Sequence, residues 1–242
     1  MSKLLVKNKV GNGRVVHVTP ENAGWTYVGF DLHRLRPGDR LSEKTLGREV
    51  CLVIVTGKAE VAAGGRDFGL IGERMSPFDG KPWSVYVPEK SDWTATADTD
   101  VELAVCSAPG LGGGLPARLI APGDLGQETR GKDSNVRHVA NILSDRDDLP
   151  RESYLEETYY HRLNPPQGFA FQRVYTDADA SGKRELDEVM AVEDGDVVLV
   201  PKGYHPCAAC HGYALYYLNV MAGPKRTWKF HNAPEHEWLM KA

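Results

Sequence analysis

Short apolar runs, rich in β-branched residues and closed by glycine or proline, recur along the whole chain. Residues 50–56 form one such run, and Ala59–Ala63 follows it after Gly57 and Lys58, which predicts a β-hairpin. No stretch keeps the 3.6-residue apolar period of a helix, so the pattern predicts an all-β protein of low helical content. The predicted strands are residues 25–32, 50–56, 59–63, 84–87, 93–97, 101–107, 138–143, 154–163, 169–175, 188–192, 197–200 and 213–220.

A glycine-rich stretch at residues 109–116 divides these strands into two successive sets of about six. Glycine-rich loops also bind phosphate through their backbone N–H groups, but this one is not followed by Lys-Ser or Lys-Thr and opens no evident helix. We therefore interpret it as a linker. Two sets built from hairpins predict two small antiparallel barrels, over residues 1–110 and 111–242.

Composition and charge narrow the class of protein. The chain has 29 basic and 33 acidic residues among 242, and this net charge of −4 argues against a nucleic-acid partner. No run reaches the roughly 20 apolar residues of a membrane span, and the first residues lack the apolar core of a signal peptide. Four cysteines are too few for a disulfide scaffold. We therefore expect a cytoplasmic protein with free thiols and no membrane partner.

Two segments of the second half carry candidate chemistry. After the predicted strand 197–200, a Pro-Lys-Gly corner presents His205, and we expect this turn to aim the imidazole into the barrel. In the predicted strand 154–163 of the same barrel, the two-residue period places Glu157, Tyr159 and His161 on one face. If that face points inward, a carboxylate, a phenol and an imidazole meet in one cavity. A solvated carboxylate and a surface histidine are the alternative interpretation of the same residues.

These residues fit known motifs. His205 stands where the second motif of the cupin fold has a metal-ligating histidine, and Glu157 stands where the first motif has a glutamate. Long runs add a more specific resemblance, among them GWTYVGFDLHRL at 24–35, LEETYYHRLNPPQGFAFQRVY at 155–175 and AVEDGDVVLVPKGYHP at 191–206. Together they resemble the bicupin uronate isomerase family, which includes the 5-deoxy-glucuronate isomerases of bacterial myo-inositol catabolism. The resemblance covers nearly the whole chain.

The resemblance implies a bicupin of two antiparallel jelly-roll barrels. The N-terminal barrel would be structural, and the C-terminal barrel would hold the active site and a tail that wraps the core. The implied activity is that of an aldose–ketose isomerase converting 5-deoxy-D-glucuronate, a small sugar acid, to 5-dehydro-2-deoxy-D-gluconate. A homo-oligomer is also expected. The family's metal, zinc in its uronate-isomerase relatives, implies a divalent cofactor with Glu157 and His205 as the two ligands that the motifs identify.

The reaction requires further groups. Moving a carbonyl to the neighbouring carbon of a sugar acid needs a base for the α-proton, an electrophile for the enediolate oxygen and a return of the proton. His161 and Tyr159 are the candidate proton carriers. Arg173 is the candidate partner of the substrate carboxylate because arginine pairs with carboxylates bidentately, and a solvated arginine is the alternative. A non-catalytic cupin that binds sugar acids is the alternative function.

One segment of the family pattern is missing. Family members carry another strand and a Pro-Pro-His-x-His loop before the strand that holds Glu157, and that loop is expected to supply two more ligands. This chain passes from Leu143 through Ser-Asp-Arg-Asp-Asp-Leu-Pro directly to Arg151. Either the protein has lost the segment or the sequence as given omits it, and the smooth flanks favour omission. Two protein ligands alone are too few for a stable metal site.

Cys207, Cys210 and His211 form a C-x-x-C-H pattern, which is also the haem-attachment pattern of c-type cytochromes. The β-rich context and the lack of an export signal argue against covalent haem. A redox pair and two incidental thiols remain as interpretations, and incidental thiols are favoured.

Overall fold

The computed structural model describes residues 2–110, 112, 114–132, 136–143, 155–225 and 231–240. Within these residues the protein consists almost wholly of antiparallel strands, which confirms the predicted all-β class. In the described ranges, helix is confined to one turn at Pro20–Ala23 and to 3-10 segments at Pro122–Asp124 and Pro234–Met240. No helix in this described part is long and apolar enough to cross a membrane.

The chain divides into two compact units, which we call the N-terminal unit (Asn8–Ser144) and the C-terminal unit (Met1–Lys7 with Asp145–Ala242). The N-terminal residues belong to the second unit because the short strand β1 (Leu5–Val6) pairs with Val197–Val200. Lys7 adds ion pairs of 2.8 Å to Glu193 and to the buried Asp196. The division at residues 110 and 111 stays a prediction.

The N-terminal unit contains two main sheets and a separate hairpin. Its strands are β2 (Gly13–Val18), β3 (Gly29–Leu35), β4 (Arg40–Lys44), β5 (Arg48–Thr56), β6 (Ala59–Ala63), β7 (Arg66–Ile71), β8 (Trp83–Val87), β9 (Asp92–Ala97), β10 (Val101–Pro109), β11 (Arg118–Ile120), β12 (Gly126–Arg130) and β13 (Arg137–Asn141). One sheet has the order β11-β8-β5-β10-β3-β2, the other has the order β4-β9-β6-β7, and β12 pairs with β13. Side chains of both main sheets form one apolar core, which includes Leu52, Ile54, Trp93 and Leu103.

The C-terminal unit also contains two sheets. Its strands, besides β1, are β14 (Glu156–Asn164), β15 (Phe169–Tyr175), β16 (Asp187–Glu193), β17 (Val197–Val200), β18 (Cys207–Ala209) and β19 (Ala214–Ala222). The sheet orders are β1-β17-β14-β19 and β16-β15-β18. Val174 and Val192 of one sheet pack with Val198 and Val200 of the other.

The two units repeat one framework. Strands β5 to β10 correspond in order to β14 to β19, and β1 occupies the sheet position that β11 has in the N-terminal unit. The described residues of the C-terminal unit show no counterpart of β2, β3 or β4, so β18 and β19 are outer strands where β9 and β10 are inner ones. Tyr217 on β19 is therefore 40% exposed, whereas its counterpart Leu103 on β10 is fully buried.

Candidate functional site

Strands β8 and β17 both end in Val-Pro, and a residue of positive φ follows two positions after each proline, Lys90 in one unit and Gly203 in the other. Aligning Val87 with Val200 on this motif identifies the corresponding residues of the first sheet. Val50 pairs with Val87 on one side and with Ser107 on the other, as Glu157 pairs with Val200 and with Met221. Five residues of the N-terminal core, Val50, Leu52, Ile54, Leu103 and Val105, thus correspond in that order to Glu157, Tyr159, His161, Tyr217 and Asn219.

In the second sheet, the inward residues of β6 and β9 all belong to the apolar core, whereas the equivalent strands β15 and β18 and the turn between β17 and β18 bring Gln172, His205 and Cys207 to the interior. These inward positions form an apolar core in the N-terminal unit, whereas in the C-terminal unit they carry side chains that can bind a metal or transfer protons.

Glu157 lies at the centre of this polar interior. Its Oε2 accepts hydrogen bonds from the Tyr159 hydroxyl at 3.2 Å and from Asn219 Nδ2 at 2.9 Å. His205 Nε2 lies 3.5 Å from the same oxygen. The structure therefore brings the predicted ligands Glu157 and His205 together.

The turn before His205 determines where the imidazole points. Gly203 has a φ of +87°, and a Cβ at this position would lie 2.3 Å from the Tyr175 carbonyl oxygen, so only glycine fits. The Gly203 carbonyl lies 2.8 Å from His205 Nδ1, which orients the ring with Nε2 toward Glu157. Burial alone would lower the pKa of His205, but the hydrogen bond and the charge of Glu157 outweigh burial and raise the pKa.

His161 and Tyr159 share the inward face with Glu157, as the strand period predicts. His161 is fully buried, and its Nε2 lies 3.7 Å from Cys207 Sγ. Burial lowers the pKa of His161 to about 4, so the imidazole is neutral at neutral pH. Burial, followed by the charge of Glu157, raises the pKa of Tyr159 well above its usual value and keeps the phenol protonated.

Arg173 is not brought to this cluster. Gln172 faces the interior, so the neighbouring Arg173 projects from the opposite face of β15. There its guanidinium binds Asp187 bidentately at 2.7 and 2.6 Å and lies over the Tyr175 ring. The role of Arg173 as the partner of a substrate carboxylate stays a prediction.

Sequence reasoning missed Gln172, Tyr217 and Asn219. No local motif marks any of them: Gln172 stands beside Arg173, Tyr217 beside Tyr216, and Asn219 is a single polar residue in its strand. The signal that finds them is the internal repeat, because a core position that turns polar in only one of two equivalent barrels indicates a role other than packing.

Cys207 and Cys210 are free thiols. Cys207–Ala209 is an extended strand, and three residues of extended chain span on the order of 10 Å. Disulfides require Cα atoms within roughly 7 Å, so these two cysteines cannot pair without backbone movement. The geometry favours two thiols that are not joined to each other, and Cys207 contacts His161.

The fold and the polar interior define a bicupin in which one barrel has an apolar core and the other a candidate active site. A sequence model of the KduI/IolB family matches residues 4–147 and 144–239. The chain belongs to the KduI/IolB family.

Individual relatives agree with this assignment. A 5-deoxy-glucuronate isomerase of Geobacillus kaustophilus is 48% identical over 273 aligned positions, covering 100% of this chain and 97% of that protein. The isomerase of the same name from Bacillus subtilis is 43% identical over 276 positions, with both chains covered completely. The crystal structure of an IolB-like protein from Salmonella typhimurium has a TM-score of 0.92 at 47% identity, covering 98% of this chain and 99% of that one. A variant of Bacillus subtilis oxalate decarboxylase, 12% identical with a TM-score of 0.52, shares the fold alone.

The same alignments measure the shortfall expected from the sequence. The 273 positions aligned with the Geobacillus protein exceed the 242 residues of this chain by 31, so that relative has about 31 residues that this chain lacks. The two family matches meet at residues 144–147. Asn141 ends β13 and Glu156 begins β14 on either side, and residues 144–154 lie outside the described part of the chain. From the sequence we expect the shortfall between Leu143 and Arg151, and this placement stays a prediction.

Proposed function

We propose that this protein is an aldose–ketose isomerase that converts 5-deoxy-D-glucuronate to 5-dehydro-2-deoxy-D-gluconate. The observation that carries the proposal is the cluster of Glu157, Tyr159, His161 and His205 inside a barrel whose repeat has an apolar core. The full-length relatives named 5-deoxy-glucuronate isomerase, at 43–48% identity, support a sugar acid as the substrate.

Glu157 and His205 are the residues that would hold a divalent metal, with zinc as the expected ion. Their donor atoms lie 3.5 Å apart, and two ligands at about 2.1 Å from a tetrahedral metal lie about 3.4 Å apart. The Gly203 carbonyl next to Nδ1 favours the tautomer that leaves Nε2 free to bind. A bound metal supplies a Lewis acid for the substrate carbonyl. The described residues supply these two donors and no group of three His, Cys, Asp or Glu side chains that could hold a metal ion.

The proton carriers follow from the protonation states. His161 is neutral at neutral pH because of its low pKa, so its imidazole can accept the proton from C2 of the substrate and return it to C1. Tyr159 stays protonated because of its raised pKa, so its hydroxyl can give its proton to the C1 oxygen and take up the proton of the C2 hydroxyl. Glu157 orients that hydroxyl by accepting its hydrogen bond. Burial of all three groups excludes water from the reacting atoms.

Proton NMR of the purified full-length protein with 5-deoxy-D-glucuronate tests this function directly. We expect the signals of 5-dehydro-2-deoxy-D-gluconate to appear, and we expect the variant Glu157→Gln to lose this activity. Glu185→Gln is the matched control, because Glu185 is exposed and pairs with Lys202. Wild-type protein that binds zinc and leaves the substrate unchanged would reject the isomerase function.

A sugar-acid-binding protein without turnover is the second candidate. The 31 positions that this chain lacks relative to the Geobacillus protein favour it, because we expect the two further metal ligands of the family pattern to lie among them. Inserting the corresponding segment of the Geobacillus protein between β13 and β14 separates the two functions. Activity that appears only after insertion identifies this chain as a binding protein, whereas equal activity before and after identifies it as the isomerase. A cytoplasmic location and a homo-oligomeric state are part of the same proposal.

A further inference from the structure

Gln172 is a fully buried amide in the polar interior of the C-terminal unit. The inward residues of the equivalent strand β6, Ala59, Val61 and Ala63, all belong to the apolar core of the N-terminal unit. The neighbours of Gln172 on the same face of β15, Ala170 and Val174, are fully buried as well. Packing is therefore satisfied by an apolar residue at this position, and the amide requires another explanation.

Hydrogen bonding fixes the direction of this amide. Nε2 donates to the His205 backbone carbonyl at 3.5 Å, and Oε1 has no hydrogen-bond partner among the described residues. A buried acceptor without a partner costs free energy, so a native protein retains one where water or a ligand completes the hydrogen bond.

Gln172 lies beside the candidate active site. It is paired in register with Cys207, whose Sγ contacts His161 Nε2, and its Nε2 contacts the backbone of His205. The unpartnered Oε1 of Gln172 is thus a buried polar atom beside the candidate site that has no protein partner in the described part of the chain. A site that receives a polar ligand is expected to present such an atom.

We propose that Gln172 is a specificity-determining residue whose Oε1 accepts a hydrogen bond from a substrate hydroxyl group. The inference rests on the proposed function and adds a contact to it. A neutral carboxamide oxygen can only accept, so it suits an alcohol and repels a carboxylate. It therefore selects for a hydroxyl on the carbon chain of the sugar acid and orients that chain relative to His161.

The test compares Gln172→Met with Gln167→Met. Methionine keeps the length of glutamine and removes the acceptor, and Gln167 is an exposed residue of the turn before β15. A hydroxyl contact that is equal in the bound substrate and the transition state predicts that KM rises about 10- to 100-fold while kcat changes little. Gln172→Met should also raise the unfolding temperature, because it removes a buried acceptor that has no partner in the free protein. Gln167→Met should leave KM and kcat unchanged.

Binding of a non-reacting analogue locates the contact without turnover. The probes are 5-deoxy-D-glucuronate reduced to the alcohol at C1, and the derivatives of this compound that lack one hydroxyl at C2, C3 or C4. Titration calorimetry measures the dissociation constants. We expect wild type and Gln172→Met to have equal dissociation constants for the derivative that lacks the contacted hydroxyl, and dissociation constants that differ about 10- to 100-fold for the other two. Metal content should be the same in both proteins.

Three outcomes overturn the inference. A KM and a dissociation constant that Gln172→Met leaves unchanged would exclude the contact. A lowered unfolding temperature would show that the amide is structural, and loss of metal would show that it supports the metal instead. Wild-type protein that binds the reduced analogue without isomerising the substrate rejects the isomerase function, while the comparison of dissociation constants still decides the role of Gln172.

Discussion

Replacing His161 by isoleucine should change how the stability of the protein depends on pH. Isoleucine is the residue that the N-terminal unit has at the corresponding position, Ile54, which is buried in its core. In the folded protein burial lowers the pKa of His161 to about 4, whereas an unfolded histidine titrates near about 6.5. Between these values the unfolded chain binds a proton that the folded protein does not, so the free energy of unfolding falls as the pH falls.

The size of the effect follows from this shift. A difference of about 2.5 pKa units corresponds to about 3 kcal/mol once the pH is below both values, because one unit is worth about 1.4 kcal/mol. When the pH is lowered from 7.5 to 5, the free energy of unfolding falls by about 2 kcal/mol of this total. The loss is absent in His161→Ile, which has no proton to bind at this position.

Urea unfolding followed by circular dichroism, at pH 7.5 and at pH 5, measures the effect. Wild type should lose about 2 kcal/mol more than His161→Ile on acidification, since the other ionisable groups are common to both proteins and cancel. His211→Asn is the control, because this histidine is exposed and should follow wild type. Equal acid losses in wild type and His161→Ile would refute the buried, neutral state of His161.

Three further outcomes are expected. Glu157→Gln should lower the amount of bound metal and reduce isomerase activity at least 100-fold, because Tyr159, Asn219 and His205 all contact this carboxylate. An unchanged metal content, measured by mass spectrometry, would show that Glu157 is not a metal ligand. Arg173→Met should change kcat/KM less than threefold, because Arg173 is paired with Asp187 outside the cluster, and a tenfold rise in KM would instead support its role as the carboxylate partner. Ellman's reagent should titrate two thiols, Cys207 and Cys210, in the native protein and four after unfolding, and fewer than two native thiols would indicate a disulfide.

Local signals were enough to predict much of this fold. The hairpin over residues 50–63 and the strand Phe169–Tyr175 follow from turn glycines and apolar runs that lie next to each other in the chain. Strands such as β4 (Arg40–Lys44) and β12 (Gly126–Arg130) were missed because they are exposed and polar, so they lack the alternation that marks a half-buried strand. The strand predicted from residue 25 begins at Gly29.

The candidate site was predictable where it depends on one strand or one turn. The two-residue alternation of side chains along a strand was sufficient to place Glu157, Tyr159 and His161 on a common face. The Pro-Lys-Gly turn was sufficient to predict that His205 points into the barrel. The face of β15 was not predictable, because its large apolar residues Phe169 and Phe171 suggest an inward face, yet the structure leaves both of them partly exposed. Which face of a strand is inward depends on partners that are distant in sequence, and the internal sequence of β15 does not contain that information.

The internal repeat distinguishes the side chains that stabilise the barrel from the side chains that form the site. Val50, Leu52 and Ile54 each contribute about 1.5–3 kcal/mol of hydrophobic stabilisation in the N-terminal unit. The equivalent strand of the C-terminal unit gives up most of this contribution, since the same positions carry a carboxylate, a phenol and an imidazole. The strand order and register are unchanged, so the barrel framework does not depend on those side chains being apolar. The same framework can hold an apolar core, so the polar interior of the C-terminal unit is explained by the ligand that it binds. For this reason the internal repeat identifies the site better than any single motif does.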